Sequence, residues 1–159
     1  MQKSIIKIVK TYDKPFDCED CGTCYPEGLY VEYNDVVVWE KFSDGHYSGH
    51  QTEESILDCI LNKWYNDLVI LNEENKTEEK RLEWNKQHPG NAIAKTKESW
   101  QEYHNESFEY VKSSLESIKK NCENLPYDEE LQVKMIALWI QNDTGEEIEI
   151  QSLTEKIKD

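Results

Sequence analysis

The strongest constraint on this chain is a pair of apolar series on either side of one turn. Leu57, Leu61, Trp64, Leu68, Leu71, Asn75, Glu78 and Leu82 recur at steps of four and three residues, and so do Trp100, His104, Phe108, Val111, Leu115, Ile118, Cys122 and Leu125. That spacing is the seam of one helix packed along another. Between the two series, His88-Pro-Gly-Asn91 has strong turn chemistry. Reversal at Pro89-Gly90 sets Leu61 beside Ile118, Trp64 beside Leu115, Leu68 beside Val111, Leu71 beside Phe108 and Asn75 beside His104. Apolar then meets apolar, and polar meets polar. The sequence predicts a long antiparallel helical hairpin over residues 52–125, opened by Thr52 as N-cap with Glu53 and Glu54 in the first turn. A first helix from Glu53 to Gln87 would be roughly 50 Å long at the standard rise, so its distal end should project. The weak point is Asn72 to Thr77, where Asn75 or Thr77 is suited to end one helix and cap another.

The flanking segments favour strands. Ser4 to Tyr12 alternates around Ile6 and Ile8, and Gly28–Tyr33 and Val36–Lys41 are rich in β-branched and aromatic residues on either side of Asn34-Asp35, a tight-turn pair. Ser43 to Gly49 is a glycine-bearing loop. Glu130 to Ile140 fits either period, but Asn142-Asp-Thr-Gly145 followed by the alternating Glu147-Ile-Glu-Ile150 favours a second β-hairpin over 126–159. The expected fold is a single α+β domain. Residues 1–51 form a β-hairpin region with a cysteine loop, 52–125 the helical hairpin and 126–159 a C-terminal β-hairpin, with a small antiparallel sheet drawn from both ends.

Thirty-three acidic against eighteen basic residues give a net charge of −15. Such a field repels nucleic acid and anionic membranes and attracts basic proteins and cations. Five Trp, nine Tyr and three Phe argue against a disordered acidic tail. The first ten residues have charges at every few positions and no signal-peptide pattern. No stretch has the length of a membrane span. A cytoplasmic setting is therefore expected, where clustered cysteines are more often metal ligands or redox groups than disulfides.

Cys18-Glu-Asp-Cys21-Gly-Thr-Cys24 carries the Cys-x-x-Cys-Gly spacing of a zinc knuckle, in which glycine permits the tight turn beneath the metal. Four ligands are needed for a tetrahedral site, and His46, His50 or Cys59 is a candidate to join the three cysteines. A dithiol redox pair is the second reading, opposed by Asp17, Glu19 and Asp20, which raise thiol pKa values. The reading that needs no fourth ligand, and that the sequence favours over both, is plain loop cysteines.

On the second helix, Glu98, Glu102, Glu106 and Glu109 fall on one face, opposite Trp100, His104 and Phe108. Like charges at this spacing oppose helix formation by roughly 0.2–0.5 kcal/mol per pair. Their separation, roughly 6 Å along the axis, is close to that of neighbouring phosphates on a nucleic-acid strand. The ladder is thus either a solvated acidic face or an imitation of a phosphate backbone. Trp84, two residues from the seam at Leu82, is expected near the hairpin tip as a contact residue, unless a bent helix or a second subunit buries it.

Catalytic motifs are missing: there is no phosphate loop, no His-Glu-x-x-His and no Gly-x-Ser-x-Gly. His104 on the seam fits a structural histidine paired with Asn75, and the Asp44 to His50 loop, with His46, Tyr47 and His50, is the one segment placed for chemistry. The favoured expectation is a non-enzymatic protein that docks its acidic helix face on a basic, nucleic-acid-binding partner and inhibits it, with Trp84 as anchor. Small acidic inhibitors carried by phages or mobile elements against host nucleic-acid machinery resemble it in charge and size. A zinc-stabilised regulatory module and a small enzyme using the Asp44–His50 loop are the alternatives, and self-pairing of the hairpin into a homodimer fits the same seams.

Overall fold

The computed structural model describes residues 3–43, 49–51 and 54–156, with the backbone alone at 49–51. In chain order its elements are β1 (Ser4–Tyr12), β2 (Phe16–Cys18), β3 (Gly22–Cys24), β4 (Glu27–Tyr33), β5 (Val36–Ser43), β6 (Gly49–Gln51), α1 (Ile56–Asn75), α2 (Glu78–Gln87), α3 (Lys97–Asn121), α4 (Glu129–Thr144) and β7 (Ile148–Lys156). Five strands form one sheet in the order β6-β5-β4-β1-β7, while β2 and β3 make a separate small hairpin. The architecture is α+β, as expected, with strands from both ends of the chain and helices between them.

The β4–β5 turn follows from its two residues. Asn34 and Asp35 both have positive φ, 49° and 66°, which two-residue hairpin loops require and which Asn and Asp tolerate better than other side chains. Asn34 also extends the ladder toward β1: its side-chain Oδ1 accepts from Ile5 N at 2.9 Å, and its main-chain N–H donates to Ile5 O at 2.9 Å. Gly28 answers a different need. Facing Thr11 on β1 and Phe42 on β5, a Cβ there would lie 2.5 Å from Thr11 Oγ1 and 3.2 Å from Lys41 O. Only glycine fits between those neighbours without movement.

The C-terminal β-hairpin expected over 126–159 is not what forms. Residues 129–144 are a helix, with Asp128 as N-cap, its carboxylate accepting from Leu131 N at 2.8 Å, and Gly145 as a left-handed C-cap at φ 72°. Burial explains the choice. Val133, Ile136, Ala137 and Ile140 are all buried, and their three-, one- and three-residue steps make a helical stripe that a strand would split between two faces. The strand that follows, β7, pairs with β1 in parallel, Ser4 beside Ile148 through Tyr12 beside Lys156. The sheet is therefore antiparallel except at this edge, because α4 carries the chain back across the sheet before β7 begins.

One further boundary differs from the sequence reading, and another falls at the weak point that the sequence marks between Asn72 and Thr77. The first helix starts at Ile56 with Ser55 as cap, its hydroxyl accepting from Asp58 N at 3.1 Å, and Thr52 and Glu53 lie outside the described residues. The helix also stops at Asn75, and Thr77 caps a second one, α2. Thr77 supplies a cap and Glu78 and Glu79 suit the positive end of a new helix dipole, so a break costs little there.

The core joins Ile6, Ile8, Val31, Tyr33 and Trp39 of the sheet to Ile56, Ile60, Leu61 and Trp64 of α1, Ile118 of α3, and the α4 stripe. Helices α1 and α4 pack on the sheet, and α3 packs on both of them. One carboxylate ties the layers together. Glu146, between α4 and β7, accepts from Ser4 Oγ at 2.7 Å and from Trp64 Nε1 at 2.9 Å. The seam residues Leu61, Trp64, Leu68, Val111, Leu115 and Ile118 all join this cluster, so α1 and α3 pack along their apolar sides at the base. Farther out the contacts depart from the expected register. Phe108 lies against Tyr65, with ring centroids 5.7 Å apart, and Leu71 is exposed. Among the described residues no helix is long and apolar enough to cross a membrane.

Candidate functional site

Three regions carry the candidate residues, and the fold keeps them apart. The first is the small hairpin between β1 and β4. Its strands are three residues each, in the register Phe16 with Cys24, Asp17 with Thr23 and Cys18 with Gly22. Gly22 stands at φ 77°, a conformation that L side chains rarely adopt, and this bend turns Cys21 back over the strands. The outcome is convergence. Cys18, Cys21 and Cys24 have sulfur atoms all within 4.8 Å of one another, and Cys21 Sγ is 3.5 Å from Cys24 Sγ. Among the described residues no other group of three metal-ligating side chains is so gathered.

Within the trio the thiols differ. Hydrogen bonds from the Cys21 side chain and from the backbone at Asp20 and Cys21 lower the pKa of Cys18. Cys21 is pushed up to about 12, chiefly by the neighbouring sulfurs of Cys18 and Cys24. Cys24 is buried, Cys18 half-buried and Cys21 exposed, so the cluster opens to solvent on one side. Cys59 belongs to the main core under the helices, and its thiol is raised to about 11 by burial and then by Glu54 and Asp58. Of the two histidines considered as ligands, His46 lies outside the described residues, and His50 is described only as backbone in β6, opposite Phe42. Asp44 and Tyr47, and with them the loop proposed for enzyme chemistry, also lie outside the described residues.

The second region is the outer flank of α3. Thr96 opens this helix with a capping box, its hydroxyl accepting from Ser99 N at 3.0 Å while Ser99 Oγ accepts from Thr96 N at 3.1 Å. The helix then runs unbroken for 25 residues. Glu98, Glu102, Glu106 and Glu109 are all exposed, whereas Trp100, Ser114 and Ile118 on the other side are buried. Gln101 and Asn105 complete the same strip. Their angular positions between the glutamates were there to be read, but neutral amides do not register in a search for charge. All six residues come from one helix, so the strip is a flat face with no walls. Glu109 pairs with Lys112 at 3.5 Å. Among the described residues no ion pair engages Glu98, Glu102 or Glu106.

The third region is the cleft between α2 and α3, lined by Asn75, Lys80, Glu83, Trp84, Gln87, Trp100 and His104. Trp84 stacks on His88, ring centroids 4.0 Å apart, and tilts against Trp100 at 6.1 Å. At 36% exposure it is half-sunk in the cleft. Because it faces Trp100, it lies on the side of α3 turned away from the acid ladder, and the fold does not unite these two candidate partner-binding elements. The expected pairing of His104 with Asn75 is replaced by another contact. Trp100 Nε1 donates to the Asn75 main-chain carbonyl at 2.8 Å, and His104 packs edge-on against Trp100 with its Nε2 buried and unpartnered. Burial, and then the Lys76 charge, lower the His104 pKa.

Compared with known proteins, the chain matches no family model, no curated protein and no solved structure. The functional reading therefore rests on the geometry alone.

Proposed function

We propose that the chain is a non-enzymatic docking protein that uses the outer face of α3 to occupy the basic surface of a nucleic-acid-binding protein. The observation that carries this reading is the row of Glu98, Glu102 and Glu106, exposed on a continuous, capped helix, where none of the three closes a salt bridge among the described residues and only Glu98 feels a nearby cation, Arg81. A helix face selected only for solubility would interleave lysines, as the same helix does at Lys112, Lys119 and Lys120. Rigidity adds to the case. The base of α3 is held by α1 and α4, so the carboxylates are presented without ordering a flexible segment on binding. Trp84 serves as an apolar contact for a partner that wraps round the tip toward the α2–α3 cleft.

Charge complementarity of this kind acts mainly on association rate and is screened by salt. The test is capture of partners from the native cell at two salt concentrations, followed by competition with nucleic acid on whichever protein is captured. The expected result is a nucleic-acid-binding partner whose association slows at the higher salt, and a loss of affinity of about tenfold or more for the double reversal Glu102→Lys and Glu106→Lys. Binding that ignores both salt and charge reversal would remove the reading.

A further inference from the structure

The small cysteine hairpin is short for a structure that holds its shape. Two strands of three residues are well below what a two-stranded ribbon needs to stand alone in water. It also has no hydrophobic interior. From Phe16 to Thr23 every side chain is exposed apart from the half-buried Cys18, and only Cys24 is buried. The hairpin meets the sheet through its ends, where Asp13 N donates to Pro26 O at 3.1 Å just beyond the Tyr12–Glu27 pair. Inside the hairpin itself, the three sulfurs converge.

Their spacing matches a definite ligand. In a tetrahedral zinc site with Zn–S bonds of about 2.3 Å, neighbouring sulfurs stand about 3.8 Å apart. Cys21 and Cys24 are at 3.5 Å, and every pair is within 4.8 Å. The bend at Gly22 follows the second cysteine, where the knuckle geometry requires it. Asp17, Glu19 and Asp20 place negative charge around the same turn, and Asp17 Oδ1 accepts from Thr23 Oγ1 at 3.2 Å across the strands. That field favours a cation.

We propose that Cys18, Cys21 and Cys24 bind one zinc ion as thiolates, and that this ion is the structural clamp of the β2–β3 hairpin. Three sulfurs from one short hairpin leave one coordination position for a fourth donor. On binding, the ligating thiols release their protons to solvent and the ion replaces them at the centre of the cluster. Soft thiolate ligands select zinc over magnesium or calcium, which take oxygen donors. The role is one of stability. The site goes beyond the docking function and lies at the end of the sheet, away from α3.

The test uses the full chain, purified reduced and free of metal, then titrated with zinc against a chromophoric chelator and separately with cobalt(II). One zinc per chain is expected, with an intense sulfur-to-cobalt charge-transfer absorption whose strength corresponds to three thiolates. Cys18→Ser, Cys21→Ser and Cys24→Ser should each weaken zinc by at least about 100-fold, more than the loss of an outer partner would cause. Cys21 is exposed, so Cys21→Ser carries the test even where the buried Cys24→Ser variant fails to fold. Glu102→Gln with Glu106→Gln should leave the affinity unchanged, which separates the site from diffuse attraction to acidic surface. Substoichiometric zinc, a cobalt spectrum without sulfur charge transfer, or full affinity in Cys21→Ser would overturn the proposal.

Discussion

The base and the tip of the helical layer are made of the same kind of element, yet they are held by different forces. At the base, α1 and α4 press Ile56, Ile60, Leu61, Trp64, Ile136 and Ile140 onto Ile6, Ile8, Val31 and Trp39 of the sheet. At the tip, α2 has no buried residue at all. It is fastened instead by polar contacts to the following loop, where Asn85 Nδ2 and Arg81 donate to the Ala94 carbonyl at 2.8 and 3.0 Å, and by the side of Trp84 on Trp100. Arg81 is itself braced by a salt bridge to Glu78. Hydrophobic burial adds stability roughly in proportion to area, whereas exposed ion pairs and hydrogen bonds each contribute about 1 kcal/mol or less. The tip should therefore open separately from the base, as a unit of low local stability.

The largest effect that tests this contrast is in the base. Ile136→Ala removes a fully buried side chain and should cost about 3–4 kcal/mol, since the surrounding helices and sheet collapse only partly into the space. Denaturant unfolding would show the whole molecule losing stability in one transition. A cost below about 1 kcal/mol would mean that the interface between sheet and helices is not the cooperative core. The matching change at the tip is Trp100→Ala, which removes a buried indole and its hydrogen bond to Asn75. Here the expected loss is local. Amides of α2 should exchange as in an open chain, with an opening free energy lower by about 2 kcal/mol, while the global midpoint moves far less than for Ile136→Ala. Equal shifts in both quantities would make base and tip a single unit.

The same contrast explains how much of the molecule was legible in its sequence. The base seams were readable because their apolar residues are buried, and burial is what makes spacing informative. Asn34-Asp35 announced its turn because few residues accept positive φ. Helix α4 was misread although its signals were present: Asp128 before two glutamates, Gly145 after the last turn, and the stripe from Val133 to Ile140. The alternating Glu147 to Ile150 segment is a genuine strand, and its pattern was carried one element too far toward the N-terminus. Its parallel pairing with β1 has no local signature, because the partner is set by the route of the chain through α4. Of the candidate residues, the cysteines were found by spacing and the glutamates by period. What sequence left open was their relation in space, above all that Trp84 turns away from the ladder once Thr77 starts a new helix.

The smallest effect is a pH dependence that belongs to the tip alone. His104 sits between Trp100 and Tyr103 with Nε2 buried, and the surroundings from the facing helix include Lys76 and the cleft residues Lys80 and Glu83. Burial and the Lys76 charge disfavour the imidazolium, so the folded-state pKa lies below the ordinary value of 6.5. The sign then follows. In the window below 6.5 the opened tip takes up a proton that the closed tip resists, so closure is strongest above pH 6.5 and weakens as pH falls toward the folded pKa, where the loss levels off. Hydrogen exchange of α2 amides, corrected for intrinsic rates, should show this weakening, and His104→Gln should remove it while the base stays unaffected. An imidazole that titrates above 6.5 by NMR would reverse the sign, and would mean that Glu83 rather than Lys76 governs the cleft.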